Sequence, residues 1–194
     1  MPRKKLLHIL IGMAIGLAVI APLGVFAFGK SGVYDVAASR RHTKLTEWIT
    51  HETMIHSVRR HAAHVTAPPW TSAAQVIGGF CAYETHCVAC HGAAGVARQQ
   101  WVSGLEPQPP YLLDVTERFT PGQLFWIAKN GIKMTGMPAW GDSMTDRQIW
   151  NVVAWLEASR NLPPQTYSEW RNEGRCGAKA SPEPSPGPLS IPPP

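Results

Sequence analysis

Cys87-Val88-Ala89-Cys90-His91 constrains this chain more than any other stretch of it. Two thiols three residues apart can each add to one vinyl group of a haem, and the histidine that follows can reach the iron as an axial ligand. The spacing is that of a c-type haem attachment site. Other uses of a CxxC compete with that reading. Zinc would want two further ligands, usually from a second CxxC or a histidine pair, and the remaining cysteines, Cys81 and Cys176, form no such pair. A thioredoxin-like dithiol would need a βαβ pattern around it, and none is visible.

The flanks decide where such a site operates. Arg3, Lys4 and Lys5 precede an apolar run over residues 6–28, which holds no Asp, Glu, Lys or Arg in 23 residues. At 1.5 Å per helical residue this spans roughly 35 Å, against a bilayer core of about 30 Å. The basic start places the N-terminus in the cytoplasm and the rest of the chain across the membrane. A cleaved signal peptide ending near Val25-Phe26-Ala27 competes, but the run is longer than a usual signal core. In either case the CxxCH segment is exported. The net charge of +5 divides unevenly: residues 1–69 carry nine Lys/Arg and three Asp/Glu, whereas residues 70–170 carry six and eight. The basic excess therefore surrounds the apolar run and speaks of membrane orientation, not of nucleic acid.

Helical periodicity follows. Residues 34–65 lack Pro and Gly, and Leu45, Trp48, Ile49, Ile55, Val58 and Ala62 recur at helical spacing beside a basic face, which suits a spacer helix or one that docks on lipid or a membrane complex. Pro68-Pro69-Trp70 ends this segment. Ser72 suits an N-cap for a helix leading into the motif, Thr120-Pro121 opens a helix stopped by Gly131, and Thr145 caps one running to about Arg160. From Gly174 onward seven prolines and no aromatic residue predict a disordered tail. No period-2 run is long enough to be a strand, so the expected class is all-α. The expected segments are an anchor over 1–29, a juxtamembrane helix and linker over 30–69, a haem domain over 70–165 and a Pro-rich tail over 166–194.

A six-coordinate haem needs a second axial ligand. Met137, in Gly136-Met137-Pro138, is the candidate: a thioether favours the ferrous state, and Pro138 stiffens the chain beside it. Met134 is its rival, and hydrophobic filler is the ordinary fate of a loop methionine. His91 and Met137 lie 46 residues apart with a short helix between them, which lets the chain wrap a haem and approach its other face.

With Gly78, Tyr83, Cys87-Val88-Ala89-Cys90-His91-Gly92, Pro110-Tyr111-Leu112, Gly136-Met137-Pro138 and the helix from Trp150 to Leu156, the chain resembles the class I c-type cytochromes over roughly residues 70–162. The stretch from Phe125 to Trp140 is similar to the membrane-attached monohaem electron carriers of proteobacteria. The resemblance implies several helices wrapped around one covalently attached haem c. It implies a crossing of the first and last helices at Gly78 against Trp155, and a Pro110 carbonyl that accepts the His91 Nδ1–H bond. It also implies redox partners, a dehydrogenase or quinol-oxidising complex on one side and a terminal oxidase or reductase on the other, on the periplasmic face of a bacterial inner membrane. Trp126, Trp140, Lys129 and Arg98 are candidates for the haem rim or its propionates, although Trp is as often simple core. His61 and His64 stand i, i+3, a weak metal pair. Cys81 and Cys176 can pair in an oxidising compartment, with the geometry open. An electron carrier rather than an enzyme is expected. The alternatives are a haem-bearing subunit of a dehydrogenase complex and a haem enzyme or gas sensor with a labile Met ligand.

Overall fold

The computed structural model describes residues 3–69, 72–112, 118–160 and 162–177. Trp70, taken above as a boundary marker, and the tail over 178–194 lie outside them. The chain divides into two compact units, residues 1–40 and 41–194.

The first unit is dominated by α1, Arg3–Ser31, whose 29 residues leave no side chain buried. A helix of that length rises about 44 Å, long and apolar enough to cross a bilayer. Beyond it the chain is not helical up to Thr43, contrary to the expectation of one helix over 34–65. The reason is local: Gly32 takes a left-handed φ of 65°, and the Asp35 carboxylate accepts the Ala37 N–H at 2.9 Å. Such a side-chain bond offers the backbone an alternative to helix.

The second unit begins with α2, Lys44–His61, capped by Thr43, whose hydroxyl accepts the Thr46 N–H at 3.2 Å. Only its far end is core: Val58 and Ala62 are 1% and 5% exposed. Residues 41–69 thus join the compact unit of the CxxCH motif rather than forming a separate linker. The other helices are α3 (Ala73–His86), α4 (Val88–His91), α5 (Pro121–Asn130), α6 (Asp146–Ser159) and α7 (Gln165–Asn172), with short 3-10 turns at Gln100–Gly104 and Trp140–Asp142. Reciprocal capping boxes, Ser72 with Gln75, Thr120 with Gln123 and Thr145 with Gln148, fix the starts of α3, α5 and α6. Among the described residues the extended pairing is confined to one bridge, Ala93 with Val96. The all-α expectation is met.

The core forms where α3 crosses α6. The residue with no room there is Gly79, not Gly78: a Cβ on Gly79 would lie 1.8 Å from the Asn151 carbonyl oxygen and 2.9 Å from Trp155 Cβ, whereas one on Gly78 would meet the Asn151 amide at 3.3 Å. Gly122 does the same for α5, where the Val65 carbonyl oxygen lies 2.0 Å from the missing Cβ. Glycine lets these backbones touch.

The assignment of residues 166 onward to a tail is corrected over 166–177. α7 places Tyr167 and Trp170 one turn apart, and both rings pack edge-on against Phe80 of α3, at 5.2 and 5.4 Å. Tyr167 is 3% exposed. Its hydroxyl donates to Glu84, which also holds Arg171 at 2.9 Å. Cys176 is joined to Cys81 of α3 by a disulfide, with Cα atoms 5.3 Å apart across a sequence separation of 95.

Candidate functional site

The CxxCH motif is a turn of helix that breaks away from α3 at Cys87. The Cys87 N–H still donates to the Tyr83 carbonyl, and the Cys87 carbonyl accepts from both Cys90 and His91 at 3.1 and 2.9 Å. Positions i, i+3 and i+4 of a helical turn share one face. That is why this spacing presents two thiols and an imidazole together, as haem attachment requires. Cys87 and Cys90 are free thiols. A redox-active dithiol depends on a lowered thiol pKa, whereas burial pushes Cys87 up to about 12, helped by the neighbouring Cys90.

His91 is buried, and its Nδ1 lies 2.8 Å from the Pro110 carbonyl. A carbonyl only accepts, so Nδ1 carries the proton and Nε2 is left as the lone-pair donor. Burial, with the nearby Arg98 charge, outweighs the Pro110 bond and holds the imidazole below its ordinary pKa, in the neutral form a metal requires.

The turn is locked from behind. Gly92 closes it at φ 64°, and a Cβ there would strike the Tyr111 ring at 2.9 Å. The Tyr83 hydroxyl donates to the Gly92 carbonyl at 2.6 Å, and burial raises its pKa well above the ordinary tyrosine range, which keeps it a donor. This bond gives Tyr83 a role that its place in the sequence does not disclose. A phenol lies one helical turn before Cys87, but nothing in the spacing reveals that it bonds beyond His91. Arg98 lies 3.6 Å over the Tyr111 ring, and its buried Nε has no hydrogen-bond partner among the described residues.

The Met137 loop is shaped by its backbone. Gly131 ends α5 at φ 65°, and its missing Cβ would lie 2.6 Å from the Pro138 carbonyl carbon. The Ile132 N–H donates to the Met137 carbonyl at 3.2 Å, and the Thr135 hydroxyl bridges the loop, donating to Ile132 and accepting from the Met137 N–H. Leu105, from the segment after His91, closes over Gly136: a Cβ there would meet its side chain at 3.1 Å. Met137 is half-buried, whereas its rival Met134 is 82% exposed.

The predicted rim residues part company. Trp140 lies beside the motif, its ring 5.0 Å from that of His86. Trp126 instead stacks on His61 of α2 at 5.5 Å, a helix-to-helix contact. Lys129 is paired with Asp146 at 2.7 Å. Of the weak metal pair His61 and His64, His61 is thus engaged by Trp126, and among the described residues no group of three or more His, Cys, Asp and Glu could hold a metal ion.

The residues present fit a haem c. Two thiols and a neutral imidazole with its Nδ1 satisfied share one helical turn, and the Arg98 Nε, without a partner among the described residues, is a donor suited to a propionate. Residues 74–156 match the family described as cytochrome C oxidase, cbb3-type, subunit III. A comparison with curated proteins finds no match. A cytochrome c domain implies a c-type haem and haem-based electron transfer. Motif, fold and family together make residues 74–156 a c-type cytochrome domain, in a chain whose N-terminal helix is long and apolar enough to cross a membrane.

Proposed function

We propose that the chain is a membrane-anchored one-electron carrier with a single haem c, thioether-linked to Cys87 and Cys90 and held by His91 and Met137 as axial ligands. A haem c supplies a one-electron couple. The observation that carries the reading is the 2.8 Å contact from His91 Nδ1 to the Pro110 carbonyl, because it puts the proton on Nδ1 and leaves the Nε2 lone pair for a metal. With both His91 and Met137 holding it, the iron would have no site left for a substrate, which suits electron transfer. Arg98 would meet a propionate, and Trp140 would cover the rim; Trp126 has less support in that role, since its ring is engaged by His61.

Arg3, Lys4 and Lys5 at the start of α1 favour a cytoplasmic N-terminus and a haem domain in the periplasm of a bacterial inner membrane. The proposed segments are an anchor up to Ser31, a connector to Arg40 and a cytochrome unit from Arg41. The carrier would pass electrons from a dehydrogenase or quinol-oxidising complex to a terminal oxidase or reductase. The family description, which names an oxidase subunit, favours a second reading as a resident subunit of such a complex.

The test is spectroscopic. Matured protein should carry one haem that stays with the chain on denaturation, and its ferric form should show the weak band at the red end that marks Met ligation. A high-spin ferric spectrum, or cyanide and CO binding without denaturant, would overturn the His/Met assignment and favour an enzyme or gas sensor. Recovery of the haem-bearing chain only within an intact oxidase or dehydrogenase would favour the subunit reading.

A further inference from the structure

The two ends of α2 differ. Val58 and Ala62 near its end are buried, but Leu45, Trp48 and Ile49 at its start are 65%, 62% and 49% exposed. These three stand at i, i+3 and i+4 and therefore form one apolar patch on one face of the helix. Exposed large apolar residues grouped in this way mark a surface that meets something. Residues 41–60 carry four basic side chains, Arg41, Lys44, Arg59 and Arg60, against the acidic Glu47 and Glu52. Glu52 is partly answered by His56 at 3.6 Å.

We infer that this face of α2 lies in the interfacial layer of the membrane that α1 crosses, with Leu45, Trp48 and Ile49 among the acyl chains and the basic side chains on anionic headgroups. The occupant follows from three observations. Tryptophan beside aliphatic side chains suits the boundary between headgroup and hydrocarbon. The positive balance complements anionic lipid. And α2 starts 13 residues after Ser31, a tether of at most about 45 Å, so a bilayer is always within reach and association is effectively intramolecular. The connecting residues Val33 and Val36 are themselves 77% and 89% exposed. The inference rests on α1 as a membrane span and not on the haem assignment.

The test uses the full haem-loaded chain in vesicles of phosphatidylethanolamine and phosphatidylglycerol, with brominated acyl chains as quencher, compared with Trp48→Phe. The difference between the two proteins isolates Trp48 from the other tryptophans. That difference signal should lose most of its intensity to brominated lipid and be shielded from aqueous iodide. The shielding should weaken in pure phosphatidylcholine and in Arg41→Gln/Lys44→Gln. A Trp48 signal open to iodide and untouched by brominated lipid, in a chain that stays with carbonate-washed membranes, overturns the inference alone. Shielding that appears only when a solubilised membrane complex is added overturns it in favour of a protein partner. A chain that carbonate releases overturns the reading of α1 and the inference with it.

Discussion

His91 is fixed through its own ring, by a 2.8 Å contact with the Pro110 carbonyl, while the described bonds that shape Met137 all run through its main chain, to Ile132 and Thr135. The histidine is also buried, on a helical turn closed by Tyr83 and Gly92, whereas the methionine is half-buried on a loop folded against Gly131. One side of the site is a preassembled ligand. The other is a segment positioned through its backbone. In the proposed role, the His side would set whether a haem is held at all, and the Met side would tune how it behaves.

The largest effect that can break this contrast is loss of His91. His91→Ala should abolish the accumulation of haem-bearing protein, read by haem stain on denaturing gels, whereas Met137→Ala should leave the covalent haem in place. Equal loss in both variants would erase the contrast. In Met137→Ala the expected changes are loss of the red-end ferric band, a lower potential and CO binding to the ferrous form without denaturant.

Gly131→Val addresses the loop without touching a ligand. The left-handed φ costs about 1–3 kcal/mol for a branched residue, and the Cβ would lie 2.6 Å from the Pro138 carbonyl carbon. Urea unfolding should show that loss, and the ferric Met band should weaken while the covalent haem remains. The smallest effect should come from Tyr83→Phe, which leaves the Gly92 carbonyl without its donor at a cost of about 1 kcal/mol. Its Met band should be unchanged. A shifted Met band in this variant would mean that the two sides are coupled through the turn after His91.

Much of the domain was legible because its signals are local. The N-cap residues Ser72, Thr120 and Thr145 announced the starts of α3, α5 and α6, and the CxxCH spacing announced its own face. What escaped was set by partners distant in sequence. Gly78 and Gly79 look alike in a helix, and only the arrival of the Asn151 carbonyl selects Gly79 as the crossing point. α7 is short and mostly polar, with one apolar-facing pair, Tyr167 and Trp170, ahead of a proline-rich run, and its worth appears only when Phe80 stands opposite. Trp126 and Trp140 have equal claims in sequence, yet one meets α2 and the other the motif.

The bond between Cys81 and Cys176 has a consequence for how the chain matures. Four thiols can combine into two bonds in three ways, and two of those ways consume Cys87 and Cys90 separately. With α7 packed edge-on against Phe80 and Cys176 bonded to Cys81, the fold sorts its sulfurs. It gives Cys81 a partner other than its near neighbours Cys87 and Cys90, so residues 166–177 leave both thiols of a motif some eighty residues upstream unspent.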